Sequence, residues 1–388
     1  RLMKNLSSHK VCILFSIFSC YLSVGQIYFP AANSKWENKD PKEYDISLSK
    51  LSKAISFAES NEYSGEKDLR IAILKGFSKE PYHQILGPTK KRGVPSGIIL
   101  KNGYQIASWG DTKRVDMTFS VTKSYLSTLA GLAVDRGIFK PTDIVKNLVW
   151  DNSFDGKHNG QITWEHLLNQ SSDWSGTLWG LHDWADRPPE EGEIDDWKNR
   201  LYMTPGTKYE YNDVRVNLLA YSLLHVWREP LPKILKRFIM DPIGASTSWR
   251  WYGYKNSWVE IDGTRVQSVS GGGHSGGGVF INTEDHARFG LLFLNNGIWK
   301  EKKLISESWI KKATSSSPAN ISYGYMWWLN KKGTSRYWEG VSENVYYAAG
   351  FGGNYIVVIP DKKMVVVTRW IEPSKVGEFI RLVLESHP

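Results

Sequence analysis

An α+β fold is predicted, with one antiparallel sheet assembled from both ends of the chain and a mainly helical region inserted between them. Three stretches carry the prediction. GIILKNGYQIASWGD (97–111) reads as two β-prone runs around Asn102-Gly103, a pair that tolerates the positive φ of a type I′ hairpin turn. VYYAAGFGGNYIVVIPDKKMVVVTRW (345–370) reads as strand, turn, strand, Pro-Asp-Lys-Lys turn and strand, with a final helix from about Ser374. Residues 140–260, rich in Trp, Pro and Asp, read mostly as helix and loop. Strands at both ends with helices between fit helices packed on an antiparallel sheet.

Before the hairpin, residues 1–25 read as a signal peptide: Lys4 and Lys10, the apolar VCILFSIFSCYLSVG, then Ser23-Val24-Gly25 as a small-residue cleavage site before Gln26. The expected location is therefore periplasmic or secreted. The apolar stretch is too short for a stable membrane span, and processing ahead of Cys20, leaving a lipid anchor there, is the alternative. Both cysteines, Cys12 and Cys20, fall in this segment, so no disulfide is expected after it. Residues 26–45 read as a polar leader, residues 46–388 as the domain, and Ser47 to about Ser60 as its first helix.

The 388 residues, 41% of them hydrophobic, can bury a sizeable core. The formal charge of +9 raises the question of nucleic acid, but acids and bases are interspersed. Only Lys90-Lys91-Arg92 is a tight basic cluster. It lies in a Gly/Pro-bounded loop that reads as solvated, so no nucleic-acid partner is expected.

The chemistry centres on Ser120-Val121-Thr122-Lys123, at the start of the apolar helical run MTFSVTKSYLSTLAGLAVDRG. Positions i and i+3 share one helix face, so the amine can steer the hydroxyl proton without a histidine. The pattern alone is weak. It recurs at Ser7/Lys10, Ser47/Lys50, Ser64/Lys67 and Ser308/Lys311. Context separates Ser120: Leu126, Leu129, Leu132 and Ala133 form an apolar side, and Gly137 is a stop signal.

Ser120/Lys123, PGTKYEYND (205–213) and YYAAGFGGN (346–354), in that order, resemble the landmarks of the serine β-lactamase and penicillin-binding-protein superfamily. FSVTKSYLS, EHLLNQSSDW and TEDHARFGLLFLNNG support the resemblance, which covers roughly residues 90–388. It is closest in type to the class C-related hydrolases, above all the 6-aminohexanoate-dimer hydrolases. The resemblance implies a β-lactamase/transpeptidase-like fold, an antiparallel sheet flanked by helices with a mainly helical subdomain at about 140–260. It also implies an acyl-enzyme on Ser120, Lys123 as the activating amine, and Tyr211 as the tyrosine that passes the proton to the leaving group, with Tyr209 as its competitor. The backbone N–H groups of Ser120 and Phe351 would form the oxyanion hole, and Gly350 would permit close strand approach.

Two departures from the family pattern matter. Asp213 stands where asparagine is usual, and a carboxylate beside Lys123 holds an amine protonated, favouring Tyr211 as the base. Ala348-Ala349-Gly350 stands where a cationic third motif is usual, which points away from penicillins and towards small uncharged linear amides or esters. A penicillin-hydrolysing enzyme, a D,D-peptidase and a non-catalytic ligand sensor are the alternatives.

Gly273-His274-Ser275-Gly276-Gly277 also satisfies the G-x-S-x-G nucleophile elbow. Strand-like VFIN follows it where a helix should, and only His286 and His387 remain downstream as triad partners. Its glycines are expected to allow tight packing near the site, with His274 structural or lining the cleft. Trp179, His182 and Trp184, in SSDWSGTLWGLHDWADRPP, are expected to line the substrate site as an aromatic lid. The histidines lack metal-ligand spacing, and Gly350-Phe351-Gly352-Gly353 lacks the helix of a dinucleotide fingerprint, so neither metal nor cofactor is implied.

Overall fold

The early hairpin and the late strands meet in one sheet in the computed structural model, which describes residues 26–388. The expected signal segment, with Cys12 and Cys20, lies outside the described residues. β1 (Ser96–Lys101) and β2 (Tyr104–Trp109) turn at Asn102 and Gly103, whose φ values of 49° and 85° are the two positive angles of a type I′ turn. β3 (Asp116–Met117) leads into the Ser120 segment. After the helical region come β4 (Arg250–Ile261), β5 (Thr264–Val269) and β6 (Gly278–Ile281), then β7 (Trp328–Leu329), β8 (Tyr346–Gly350), β9 (Asn354–Ile359) and β10 (Met364–Arg369). The main sheet is six-stranded and antiparallel, ordered β7-β8-β9-β10-β1-β2; a second sheet runs β3-β6-β4-β5.

The longer helices among the described residues are α1 (Leu48–Ser60), α2 (Leu69–Gly76), α3 (Thr122–Asp135), α4 (Asp213–Trp227), α5 (Thr283–Leu294) and α6 (Val376–Glu385). Alternate residues of the central strands point to opposite faces. Ile98, Leu100, Ile356, Val358, Val365 and Val367 enter one core with α3 and α5, while Ile99, Val357, Ile359 and Val366 enter another with α1 and α6. Burial on both faces is why these strands read as unbroken Ile/Val runs. Ser47 caps α1 through its side chain, at the start expected for that helix.

Residues 26–45, expected as a leader ahead of the domain, dock onto it. Tyr28 N–H donates to the Asn102 carbonyl at 2.9 Å, Trp36 Nε1 to the Gly103 carbonyl at 2.9 Å, and Lys39 N–H to the Gln105 carbonyl at 3.0 Å. The segment thus covers the free edge of β2, an edge that would otherwise offer unpaired backbone groups. The helical region also ends earlier than expected. Residues 250–261 form the twelve-residue β4, whose tryptophans and tyrosines hide a strand period broken by a bulge between Gly253 and Trp258.

Arg369, the last residue of β10, ties the two sheets together beneath the Ser120 segment. It is fully buried, its Nε donates to Asn354 Oδ1 at 2.6 Å, and its terminal nitrogens reach the carbonyls of Ile281, Asp116 and Met117 at 2.9–3.3 Å. Arg369→Leu leaves these buried acceptors without a donor, and should lower the urea-measured unfolding free energy by about 3 kcal/mol.

Candidate active site

Ser120 sits in a single 3₁₀ turn, Phe119–Val121, directly before α3. Phe119 carries a φ of 50°, a left-handed conformation that costs a non-glycine residue about 1–3 kcal/mol. Packing holds it there: the Phe119 ring is buried with Leu69, Phe280 and Trp370 and lies 5.0 Å from the ring of Phe351. On the other side, Thr118 N–H donates to the Val279 carbonyl at 3.0 Å, and Thr118 Oγ1 meets His286 Nε2 at 2.6 Å. His286 Nδ1 faces the Tyr125 hydroxyl at 2.8 Å. Burial, reinforced by Arg369, holds the His286 pKa well below its ordinary value, so it serves as a neutral prop under the turn.

Lys123 points its buried amine at two partners. Nζ donates to Ser120 Oγ at 2.9 Å and to Asp213 Oδ1 at 2.5 Å. Burial opposes the charge, but the Asp213 carboxylate and then the Tyr211 phenol outweigh it and hold the ammonium pKa above its ordinary value. Burial likewise opposes charge on Asp213, yet Lys123, Arg187 and His274 together hold its carboxyl well below the usual range. The second oxygen of Asp213 meets Arg187 Nη1 at 2.8 Å and His274 Nδ1 at 3.3 Å. Lys123 is therefore a charged donor to Ser120.

Asp213 opens α4, where a carboxylate suits the positive end of the helix dipole. Its neighbour Asn212 caps the helix, accepting from Arg215 N–H at 3.0 Å, and donates its own N–H to Gln170 Oε1 at 2.8 Å. Asp173 and Asp183, paired with Arg200 and Arg215, anchor the 171–187 loop to the same helix end. Tyr211 lies just before this cap. Its ring centroid is 4.8 Å from Lys123 Nζ and 4.9 Å from the Arg187 guanidinium, and its ring stacks on Trp328 at 6.0 Å. Tyr209 is different: burial, then Tyr211, push its phenol far above the ordinary value, and its hydroxyl is buried without a partner. Of the two tyrosines, Tyr211 faces the cations.

Two glycines close the floor. A Cβ on Gly350 would lie 2.2 Å from the Thr118 carbonyl oxygen and 3.2 Å from Ser120 N, so the end of β8 reaches the backbone of the serine. A Cβ on Gly272 would lie 2.3 Å from Lys123 Nζ, 2.4 Å from Asp213 Oδ1 and 3.4 Å from Ser120 Oγ. Ser275 of the elbow-like pattern is fully buried, its hydroxyl has no partner, and β6 follows it. The Gly-rich segment is packing space for the Lys123–Asp213 pair.

The cleft over Ser120 encloses about 460 Å³. Tyr211, Asp213, His274, Gly350 and Phe351 line it together with Ser120. Trp179, His182 and Trp184, expected as its lid, do not line it. Trp179 packs edge-on against Tyr221 of α4, while Trp184 stacks on His182 and meets Tyr82 edge-on. These aromatics pack the helical region instead. The aromatic walls are supplied by Phe77, Phe119, Tyr209, Trp328 and Tyr355, and cationic groups line the cleft despite the Ala348-Ala349 motif. Arg187 is paired with Asp186 and Asp213, whereas the exposed Arg336 stacks its guanidinium 3.8 Å over Trp328 and has no carboxylate within ion-pair distance among the described residues. The third motif itself brings no cation, and these two arginines come from other segments. Arg187, Arg336, Trp328 and Glu80 carry no motif, and only the YGYMWWLN aromatic run hinted at a wall.

Two groups, Glu80/His83/His274 and Asp186/Asp213/His274, bring metal-ligating atoms within 4.8 Å of one another. Their carboxylates are already engaged by Lys123, Arg187 and His274, and a dication would have to displace those cations.

Residues 105–369 match the Beta-lactamase family. The chain belongs to that family. Its superfamily consists of serine hydrolases, among them esterases, amidases and peptidases. A protein named "Putative D-alanyl-D-alanine carboxypeptidase" from Escherichia coli O157:H7 is 27% identical over 198 residues, covering 43% of this chain and 46% of that one. The chain thus spans about half the length of the curated relatives it matches. A 6-aminohexanoate-dimer hydrolase homologue from Bacillus anthracis superposes with a TM-score of 0.51 at 14% identity, over 75% of this chain and 77% of that one. A family VIII carboxylesterase gives 0.55 at 14% identity, over 88% and 98%. These structural likenesses establish the β-lactamase-like fold.

Two outcomes follow from the site's geometry in this family member. Gly272→Ala, which forces the Lys123–Asp213 pair apart, should leave the fold intact by circular dichroism and lower kcat/KM on an ester substrate by about 10²-fold or more. Opposed by burial but favoured by Asp186, Asp213 and Glu80, the His274 pKa is raised to about 9. That stabilisation is complete below the unfolded value of about 6.5 and is lost as pH rises through the folded value. Thermal unfolding midpoints should fall across this window, and His274→Gln should flatten the fall.

Proposed function

We propose that the protein is a serine hydrolase that cleaves small linear amides or esters through an acyl-enzyme on Ser120. The observation that carries this reading is the 2.9 Å hydrogen bond from a charged Lys123 to Ser120 Oγ at the base of an aromatic cleft. Ser120 Oγ attacks the substrate carbonyl carbon, and its proton passes to Tyr211 and on to the leaving amine or alkoxide. Water then attacks the acyl carbon, one of its protons passes by way of Tyr211 to Ser120 Oγ, and the carboxylic acid leaves. Lys123 stabilises negative charge on Oγ throughout, because Asp213 keeps it an ammonium. The N–H groups of Ser120 and Phe351 would take the oxyanion, each worth about 10²–10³ in rate.

A second reading is favoured by Arg336. A guanidinium at the rim of the cleft with no carboxylate partner among the described residues suits a substrate ending in a carboxylate, such as a D-alanyl peptide, in line with the name of the Escherichia coli relative. Fluorophosphonate labelling followed by peptide mapping tests the shared chemistry, and a panel of p-nitrophenyl esters, neutral amides and D-alanyl peptides tests the substrate. Label on Ser120, its loss in Ser120→Ala, and turnover of esters or amides support the proposal; an unlabelled Ser120 with no turnover overturns it. Asp213→Asn should lower kcat/KM by about 10²-fold while labelling at Ser120 persists at a slower rate.

A further inference from the structure

Glu80 belongs to none of the landmark segments and precedes the family-matched residues, yet its carboxylate reaches the back of the site. Oε2 meets His274 Nε2 at 2.6 Å, and Oε1 accepts the backbone N–H of Arg187 at 3.1 Å. His274 and Arg187 are the two groups that hold the second oxygen of Asp213, at 3.3 and 2.8 Å. One carboxylate therefore grips both residues that grip Asp213. We propose that Glu80 and His274 are a positioning pair, which fixes the direction and the charge of Asp213 and, through it, the ammonium that Lys123 presents to Ser120.

The surroundings of His274 support an imidazolium. Its ring is buried, lies 3.9 Å from the ring of Phe77, and faces Glu80 on the segment after α2, Asp186 at 3.8 Å and Arg187 on the 171–187 loop, and Asp213 on α4. His83 is the remaining titratable neighbour; its Nε2 meets the His274 carbonyl at 2.9 Å, and burial lowers its pKa, so it adds no charge. Three cations, Lys123, Arg187 and His274, thus face three carboxylates, Asp213, Asp186 and Glu80. The cluster, buried apart from the partly exposed Arg187, is neutral as a whole, and removal of any one member leaves a net charge beside the group that accepts the Ser120 proton.

The inference rests on the assignment of Ser120 as nucleophile, and its test separates the two. The kcat/KM of p-nitrophenyl acetate is measured against pH for the full chain, for His274→Gln, Glu80→Gln and the double variant, with fluorophosphonate labelling of Ser120 in each. Loss of the imidazolium leaves a net negative charge beside the site and should move the acid limb up by about one pH unit; loss of the Glu80 charge leaves a net positive one and should move it down by a similar amount. The double variant should return close to the parent profile. A packing defect would instead lower the plateau and leave the limb in place. Labelled Ser120 with acid limbs that stay within 0.2 unit, or that move in the same direction in both single variants, overturns the positioning pair alone, at a threshold of about a fifth of the expected shift. Should His274→Gln fail to fold, the downward shift in Glu80→Gln decides the matter by itself. No labelling of the parent protein overturns the nucleophile assignment, and the positioning pair falls with it.

Discussion

The buried ion pair between Lys123 and Asp213 is the constraint on which the rest of the site depends. Two charges removed from water carry a desolvation cost of several kcal/mol each, and their mutual attraction offsets it only when every remaining lone pair and proton is satisfied. The structure meets most of that condition, with His274 Nδ1 at ion-pair distance from Asp213 but not hydrogen-bonded to it. Lys123 spends its donors on Ser120 and Asp213, while Asp213 spends its second oxygen on Arg187 and His274. Loss of one partner would strand a buried charge, so the arrangement admits little variation in geometry. A serine hydroxyl hydrogen-bonded to such a pair is held in place before any substrate arrives.

The fold serves this constraint by bringing distant segments to one point. α3 supplies Lys123, α4 supplies Asp213 at its dipole-favoured first turn, the glycine segment before β6 leaves the space that the pair fills, and β8 brings Gly350 against the serine backbone. The strained φ of Phe119 is the local cost of aiming Ser120, and the aromatic cluster around it offsets that cost. Arg369 and His286, polar groups far from any substrate, keep the strand before Ser120 fixed to both sheets. Rigidity at the serine thus comes from both sheets at once.

Much of this was legible where local chemistry demands particular residues. Asn102-Gly103 announced the hairpin because few other pairs accept two positive φ angles, and the Ile/Val runs announced the strands because both faces of the sheet are buried. Asp213 stood out against a family pattern, and the structure puts it in contact with Lys123. The less legible parts depend on tertiary placement. Glu80, Arg187 and Arg336 are ordinary charged residues in sequence, and nothing in their spacing says that two of them line one cleft and the third braces it from behind. Trp179 and Trp184 looked like a lid because aromatics in a polar loop suggest a binding surface, but the loop is tied down by the Asp173, Asp183, Arg200 and Arg215 network and its rings pack inward or against Tyr82. The β4 strand escaped notice because its bulge breaks the alternation that marks a strand.

The central claim is that Lys123 is a permanent cation rather than the base that deprotonates Ser120. Carbon-13 NMR of protein labelled at lysine Cε, with the Lys123 signal assigned by its loss in Lys123→Gln, reports that charge directly. An ammonium chemical shift for Lys123 is expected from about pH 5 to about pH 10. A Lys123 signal that titrates near neutrality would contradict it.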